Sequence, residues 1–119
     1  MKVEIFAKNI ELDNKLNEYI QKKVDSLDRI LGKSKEERIC DFRIKKDASA
    51  NKGRIYHAEL TISTSNKNYG AEAYGESIYS AIDELKDEVA KKIRRNKDKK
   101  ESLIKKGGRK IKELLRFGK

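Results

Sequence analysis

Two stretches of this chain repeat apolar residues at the helical period, and each carries a single apolar stripe. In the first the stripe is Leu12, Leu16, Tyr19, Ile20, Val24, Leu27, Ile30 and Leu31; in the second it is Ile78, Ile82, Leu85, Val89 and Ile93. A helix with one apolar stripe must bury it against another layer. Between and before these stretches the period switches to two. Val3, Ile5 and Ala7 alternate with Lys2, Glu4, Phe6 and Lys8, and Cys40, Phe42 and Ile44 with Asp41, Arg43 and Lys45. Tyr56, Ala58, Leu60 and Ile62 follow, then Tyr69, Ala71 and Ala73. Such alternation describes strands with one covered and one wet face. The expected fold is therefore α+β, a β-α-β-β-β-α two-layer sandwich. Its four-stranded sheet carries two helices on one face.

Punctuation between the elements agrees with that order. Asp13 is placed to cap the first helix and Gly32 to close it. Residues 47–53 read as a loop from their turn chemistry, and Ser65-Asn66-Lys67-Asn68 as a hairpin turn. Ser77 is the expected cap of the second helix. Beyond about Lys100 the pattern weakens and Gly107-Gly108 interrupts it. The reading divides the chain into a domain of residues 1–100 and a basic tail of residues 101–119. The tail is expected to be mobile, its Lys110–Phe117 segment being too short for a stable isolated helix.

Charge is the next constraint. The net charge of +10 is unevenly placed: residues 1–90 hold 16 Lys/Arg against 17 Asp/Glu, and residues 91–119 hold 14 against 3. That asymmetry points to a polyanionic partner. Wound as a helix with Ile82, Leu85 and Val89 inward, the second stretch points Lys91, Arg94 and Arg95 outward. Lys86 and Lys92 flank its stripe, and Lys97, Lys99 and Lys100 extend the run. On the first helix Lys15, Lys22 and Arg29 share one outer ridge, diluted by Glu18 and Asp25. Lys23 lies nearer the stripe and would snorkel. Helices so arranged contact a phosphate backbone and read shape more than bases. The wet sheet face has few aromatics, Tyr74 being the one expected to be exposed, and lacks the paired stacking residues of a base-reading sheet.

Enzyme chemistry finds little support. The one histidine, His57, sits on the polar side of a strand, where an exposed or hydrogen-bonded role is expected. No Cys/His cluster has metal-ligand spacing and no Gly-rich phosphate loop follows a strand, so neither metal nor cofactor nor small-molecule substrate is expected. Cys40 alternates with Phe42 and Ile44 and reads as a small buried hydrophobe; a single cysteine suits the reducing cytoplasm. No apolar run is long enough to span a membrane. The residues alone leave two kinds of polyanion open: a folded RNA, general double-stranded RNA included, and an anionic membrane met by Lys110–Phe117, the latter the less favoured.

The segment from His57 to Ile62, the run Ala71–Asp83 and the basic helix end at Arg95 together resemble the ribosome hibernation promoting factor family. That family includes ribosome-associated inhibitor A and was once described as sigma-factor modulation proteins. Asn9–Asp13 followed by Tyr19–Lys23 fits the family's opening, so the resemblance spans about residues 1–100. It implies the same β-α-β-β-β-α fold. It further implies a cytoplasmic factor of non-growing cells, seated in the mRNA and tRNA channel of the small ribosomal subunit at the decoding centre. There it would silence the whole ribosome by occupying space. By position, Lys22, Lys23, Lys86, Lys91, Lys92, Arg94 and Arg95 would contact ribosomal RNA, and the run itself adds Lys97. Long members of the family carry a second domain that pairs two ribosomes; none is expected here, where the basic tail follows the domain instead.

Overall fold

The computed structural model describes the backbone of residues 1–47 and 55–117 and the side chains of those up to residue 99. The elements follow the order β1 (Lys2–Lys8), α1 (Asn14–Leu31), β2 (Ile39–Lys46), β3 (Tyr56–Ser63), β4 (Asn68–Gly75) and α2 (Ile78–Phe117). The four strands form one mixed sheet in the order β1-β2-β3-β4. β1 and β2 run parallel, which requires a crossover, and α1 supplies it. β2–β3 and β3–β4 are antiparallel neighbours. This is the expected two-layer α+β arrangement.

Local chemistry fixes where each element starts and stops. The Asp13 carboxylate accepts from the Leu16 amide at 2.8 Å, satisfying one of the free N–H groups at the start of α1. Gly32 ends the helix with φ +87°, a left-handed backbone that glycine adopts without strain, and its amide returns to the carbonyls of Asp28 and Arg29. Leu12 falls outside the helix and stays exposed, so it does not extend the buried stripe. At the β3–β4 turn the Thr64 hydroxyl takes the Lys67 amide at 2.9 Å. Ser77 caps α2, its hydroxyl accepting from the Ser80 amide at 3.1 Å. Gly75, just before, is a matter of space. A Cβ there would lie 2.5 Å from Ser80 Oγ, 2.8 Å from the Ala81 nitrogen and 2.9 Å from the Ser77 oxygen.

The core is a single apolar cluster between sheet and helices. Leu16, Ile20, Val24 and Leu27 come from α1, and Ile78, Ile82, Leu85, Val89 and Ile93 from α2. They meet Cys40, Phe42, Ile44, Ala58, Leu60, Ile62, Tyr69 and Ala73 from the sheet. α2 packs on β3 and β4 and alongside α1. Among the described residues no polar or charged residue is buried, which suits the small apolar fraction: every buried position is used for packing. Cys40 is fully enclosed, and burial pushes its thiol up to about 12, with Asp41 adding to the effect. The thiolate is the reactive form, so this cysteine is inert packing.

The second helix differs from expectation at its far end. It does not stop near Lys100 but continues without a break through Gly107-Gly108 to Phe117, 40 residues in all. At about 1.5 Å per residue that is roughly 60 Å of helix, which sets the 57 Å long axis of the molecule. Two glycines cost about 1 kcal/mol each in a helix. The surrounding Lys, Arg, Leu and Glu are good helix formers that keep the run continuous. The expected loop at residues 48–54 lies outside the described residues.

Candidate nucleic-acid interface

The basic side chains expected to bind RNA fall into three groups. The first lies along the seam between the helices. Lys23 on α1 sits 3.2 Å from Asp83 on α2, with its ammonium 4.9 Å from the Tyr19 ring centre. Tyr19 donates to the same Asp83 carboxylate and meets Tyr79 edge to face, ring centres 4.8 Å apart. The Asp83 hydrogen bond holds both the Tyr19 hydroxyl and the Lys23 ammonium above their ordinary pKa ranges. Lys86 stands apart from the seam contacts: it is half-buried on α2, 3.8 Å from Asp87 on the same helix. Lys97 reaches across to the Ile30 carbonyl at the end of α1. A cation on those last carbonyls satisfies an unpaired acceptor and suits the helix dipole. Lys23 and Lys97 thus tie the two helices together as well as carrying charge.

The second group surrounds a groove between α2 and the β3–β4 hairpin. Lys92 donates to the Gly70 carbonyl on β4. Arg95 and Lys99, one turn apart on α2, stand beside it, and Lys67 approaches from the hairpin turn. Its ammonium lies 3.4 Å from Asn96 Oδ1 and 5.7 Å from the Tyr69 ring centre. Asn96 is itself oriented by donating to the Tyr69 hydroxyl at 2.8 Å. The groove encloses about 500 Å³, and its lining is Lys67, Asn68, Tyr69, Gly70, Lys92, Arg95, Asn96 and Lys99. Four cations and no carboxylate line it. By contrast a larger concavity of about 880 Å³ beside Met1 mixes Lys2, Arg29, Lys33 and Arg38 with Asp28, Glu36 and Glu37. Its Asp28 is already held by Arg38 at 2.8 Å and by the N-terminal ammonium at 3.7 Å. Unlike that concavity, the groove on α2 offers a polyanion cations with no carboxylate among its lining residues.

The third group points to solvent. Lys91 and Arg94 are exposed on the outer side of α2, Lys91 with only a 4.0 Å contact to Glu88. Lys22 is exposed on α1, in a shallow surface shared with Asp25, Asp28 and Arg29. The carboxylates there offset its charge, so the α1 ridge is a weaker attraction for phosphate than the end of α2. The expected residues are therefore not one patch but a seam, a groove and exposed positions on both helices. Lys67 was not legible as a member. It is an isolated lysine in a turn, and only the antiparallel pairing of β3 with β4 carries it to α2.

The opposite sheet face is differently made. Phe6 is exposed under the Arg43 guanidinium at 5.2 Å, and Arg43 bonds Asp41 at 3.2 and 3.3 Å. Tyr74 is exposed as expected and stacks on His57, ring centres 4.6 Å apart. No helix among the described residues is long and apolar enough to cross a membrane.

Comparison with known proteins agrees with the architecture. Residues 3–101 match the family described as sigma 54 modulation protein / S30EA ribosomal protein. Among solved structures, the N-terminal domain of Protein Y from Thermus thermophilus superposes with a TM-score of 0.65 at 22% identity, over 80% of this chain and 98% of that one. A ribosomal subunit interface protein from Coxiella burnetii superposes with a TM-score of 0.63 at 16% identity, over 82% of this chain and 99% of that one. At these identities the two structures speak for the fold.

Proposed function

Because the chain belongs to the sigma 54 modulation protein / S30EA ribosomal protein family, we propose that it is a ribosome hibernation factor: it binds the small ribosomal subunit in the mRNA and tRNA channel at the decoding centre and blocks translation by occupying that space. The mechanism makes and breaks no bond. It needs a rigid body of the right charge, and a rigid two-layer domain with one cationic edge meets that need. The observation that carries the reading is the acid-free groove of Lys67, Lys92, Arg95 and Lys99 beside the outward Lys91 and Arg94. Phosphates neutralised there release condensed counterions, which supplies affinity without base reading. The description of the Coxiella burnetii relative as a ribosomal subunit interface protein is in keeping with this.

In this reading Lys91, Lys92, Arg94 and Arg95 are the principal contacts. Lys22, Lys23, Lys86 and Lys97 contribute to the extent that they exchange an internal partner for a phosphate. On this same reading residues 1–100 bind the ribosome. Such a factor works in the cytoplasm, with the whole ribosome as its partner.

Sucrose-gradient sedimentation of a lysate tests the reading. The protein is expected with small subunits and whole ribosomes, and added excess mRNA should displace it. Recovery only in the top fractions would reject ribosome binding. Equal affinity for free duplex RNA and for ribosomes would make it a general double-stranded RNA-binding module instead. A chain ended after Lys100 should still silence translation in a reconstituted system; loss of silencing would move the function to the tail.

A further inference from the structure

The sheet face away from the helices brings together three side chains that the sequence keeps apart. β3 and β4 pair so that Glu59 stands directly opposite Glu72, with His57 two residues before Glu59 on the same side of the sheet. One donor atom from each of His57, Glu59 and Glu72 lies within 4.8 Å of the other two. His57 Nε2 is 3.1 Å from Glu72 Oε2. We propose that His57, Glu59 and Glu72 form a surface site for a divalent transition-metal ion, on the face of the sheet opposite the helices. The proposal is independent of the ribosome reading.

Three observations carry it. First, like charges set directly opposite on neighbouring strands repel, and among the described residues neither Glu59 nor Glu72 has an ion pair with a lysine or arginine, although the Arg43 guanidinium lies close enough for Glu59 to act on its charge. Arg43, in register with Glu59 on the other side, gives two guanidinium hydrogen bonds to Asp41. Lys45 is in register with His57, but no ion pair among the described residues joins it to either carboxylate. A cation between the carboxylates would remove that repulsion. Second, donors around a tetrahedral ion with bonds of 2.0–2.1 Å stand about 3.3 Å apart. The His57–Glu72 pair is already near that spacing, and the remaining gap needs only side-chain rotation. Third, the imidazole is not free to wander: Tyr74 lies against its ring at 4.6 Å, which keeps Nε2 turned toward Glu72.

The donor set selects the class of metal. One imidazole and two carboxylates suit zinc, cobalt, nickel or copper better than magnesium, which prefers an all-oxygen octahedral shell. Three protein donors leave at least one coordination position for water. The only thiol, Cys40, is fully buried and cannot compete.

Titration of the full chain with zinc chloride, followed by calorimetry, tests the site. The chain has one histidine, so the imidazole proton signals in an NMR spectrum report on His57 without assignment. Saturation with one ion per chain is expected, and cobalt should shift and broaden the same imidazole signals. His57→Ala, Glu59→Gln and Glu72→Gln should each weaken binding at least about tenfold, the lower end of the loss for disturbing an outer-shell partner and so a floor for a ligand. All three positions lie outside the buried core, and unchanged thermal melts of the metal-free variants will show intact folding. No saturable binding overturns the proposal. So does wild-type affinity in His57→Ala, or in both glutamine variants, which would reduce the site to an adventitious contact.

Discussion

The groove between α2 and the β3–β4 hairpin makes a quantitative claim that salt can test. Consider the variant in which Lys67, Lys92, Arg95 and Lys99 are all replaced by alanine. None of the four contributes to the apolar cluster, so the fold should survive, as circular dichroism will show. Each lysine or arginine that meets a phosphate contributes about 0.7 to 0.9 to the slope of log K against log salt, the lower figure for single strands and the higher for duplex. The structure divides the four unequally. Lys92 already serves the Gly70 carbonyl and Lys67 approaches Asn96. Arg95 and Lys99 have no hydrogen bond or ion pair among the described residues. If only these two meet phosphates, the slope should fall by about 1.4 to 1.8; if all four do, by about 2.8 to 3.6. The assay is pelleting of the protein with purified small subunits across a potassium chloride series at fixed magnesium. A slope unchanged to within half a contact would refute the groove as the phosphate site. A matching loss on substituting Lys22 and Arg29 on α1 would show that any cations serve equally.

Three other perturbations probe the scaffold. Gly75→Ala places a Cβ within 2.9 Å of backbone atoms at the start of α2; overpacking of this kind costs about 1–3 kcal/mol, readable as a lower denaturant midpoint. Native protein should leave Cys40 unmodified by iodoacetamide at neutral pH, because its thiol is enclosed and its pKa stands at about 12. Modification should appear only with unfolding, and rapid labelling of folded protein would contradict the packing. For Asp83→Asn the sign follows from linkage. Tyr19 and Lys23 both have folded pKa values raised by Asp83, so the fold holds their protons more tightly than the unfolded chain does. Their contribution is complete below the ordinary tyrosine and lysine range and is lost as pH rises through the raised values. Urea midpoints of the wild type should therefore fall above about pH 10, and more steeply than those of Asp83→Asn.

Much of this molecule is written in its periodicities. Two single-striped helices and four alternating strands admit essentially one way to hide their apolar faces, so the two-layer fold follows from Leu16 to Ile93 read in order. The caps at Asp13, Gly32 and Ser77 are equally local, because each acts within four residues of itself. The concentration of positive charge from Lys91 onward is a matter of counting. Family membership rests on sequence as well, spread over residues 3–101.

What sequence could not decide are the meetings between elements far apart in the chain. Lys97 looked like one more basic residue of the run, yet its ammonium caps the end of α1 at Ile30, 67 residues away. Lys67 in its turn gave no sign of facing Lys92 and Arg95. His57 looked like a lone polar residue until antiparallel register set it beside Glu72. The continuation of α2 past Gly107-Gly108 was hidden for the opposite reason: the two glycines interrupt the local pattern, and a helix already nucleated and flanked by good helix formers carries across residues that would not start one. Period and composition determined which face of each element is buried. Register and packing alone determined which exposed charges stand together, because electrostatic neighbours on a surface are set by distance through space and not by separation along the chain.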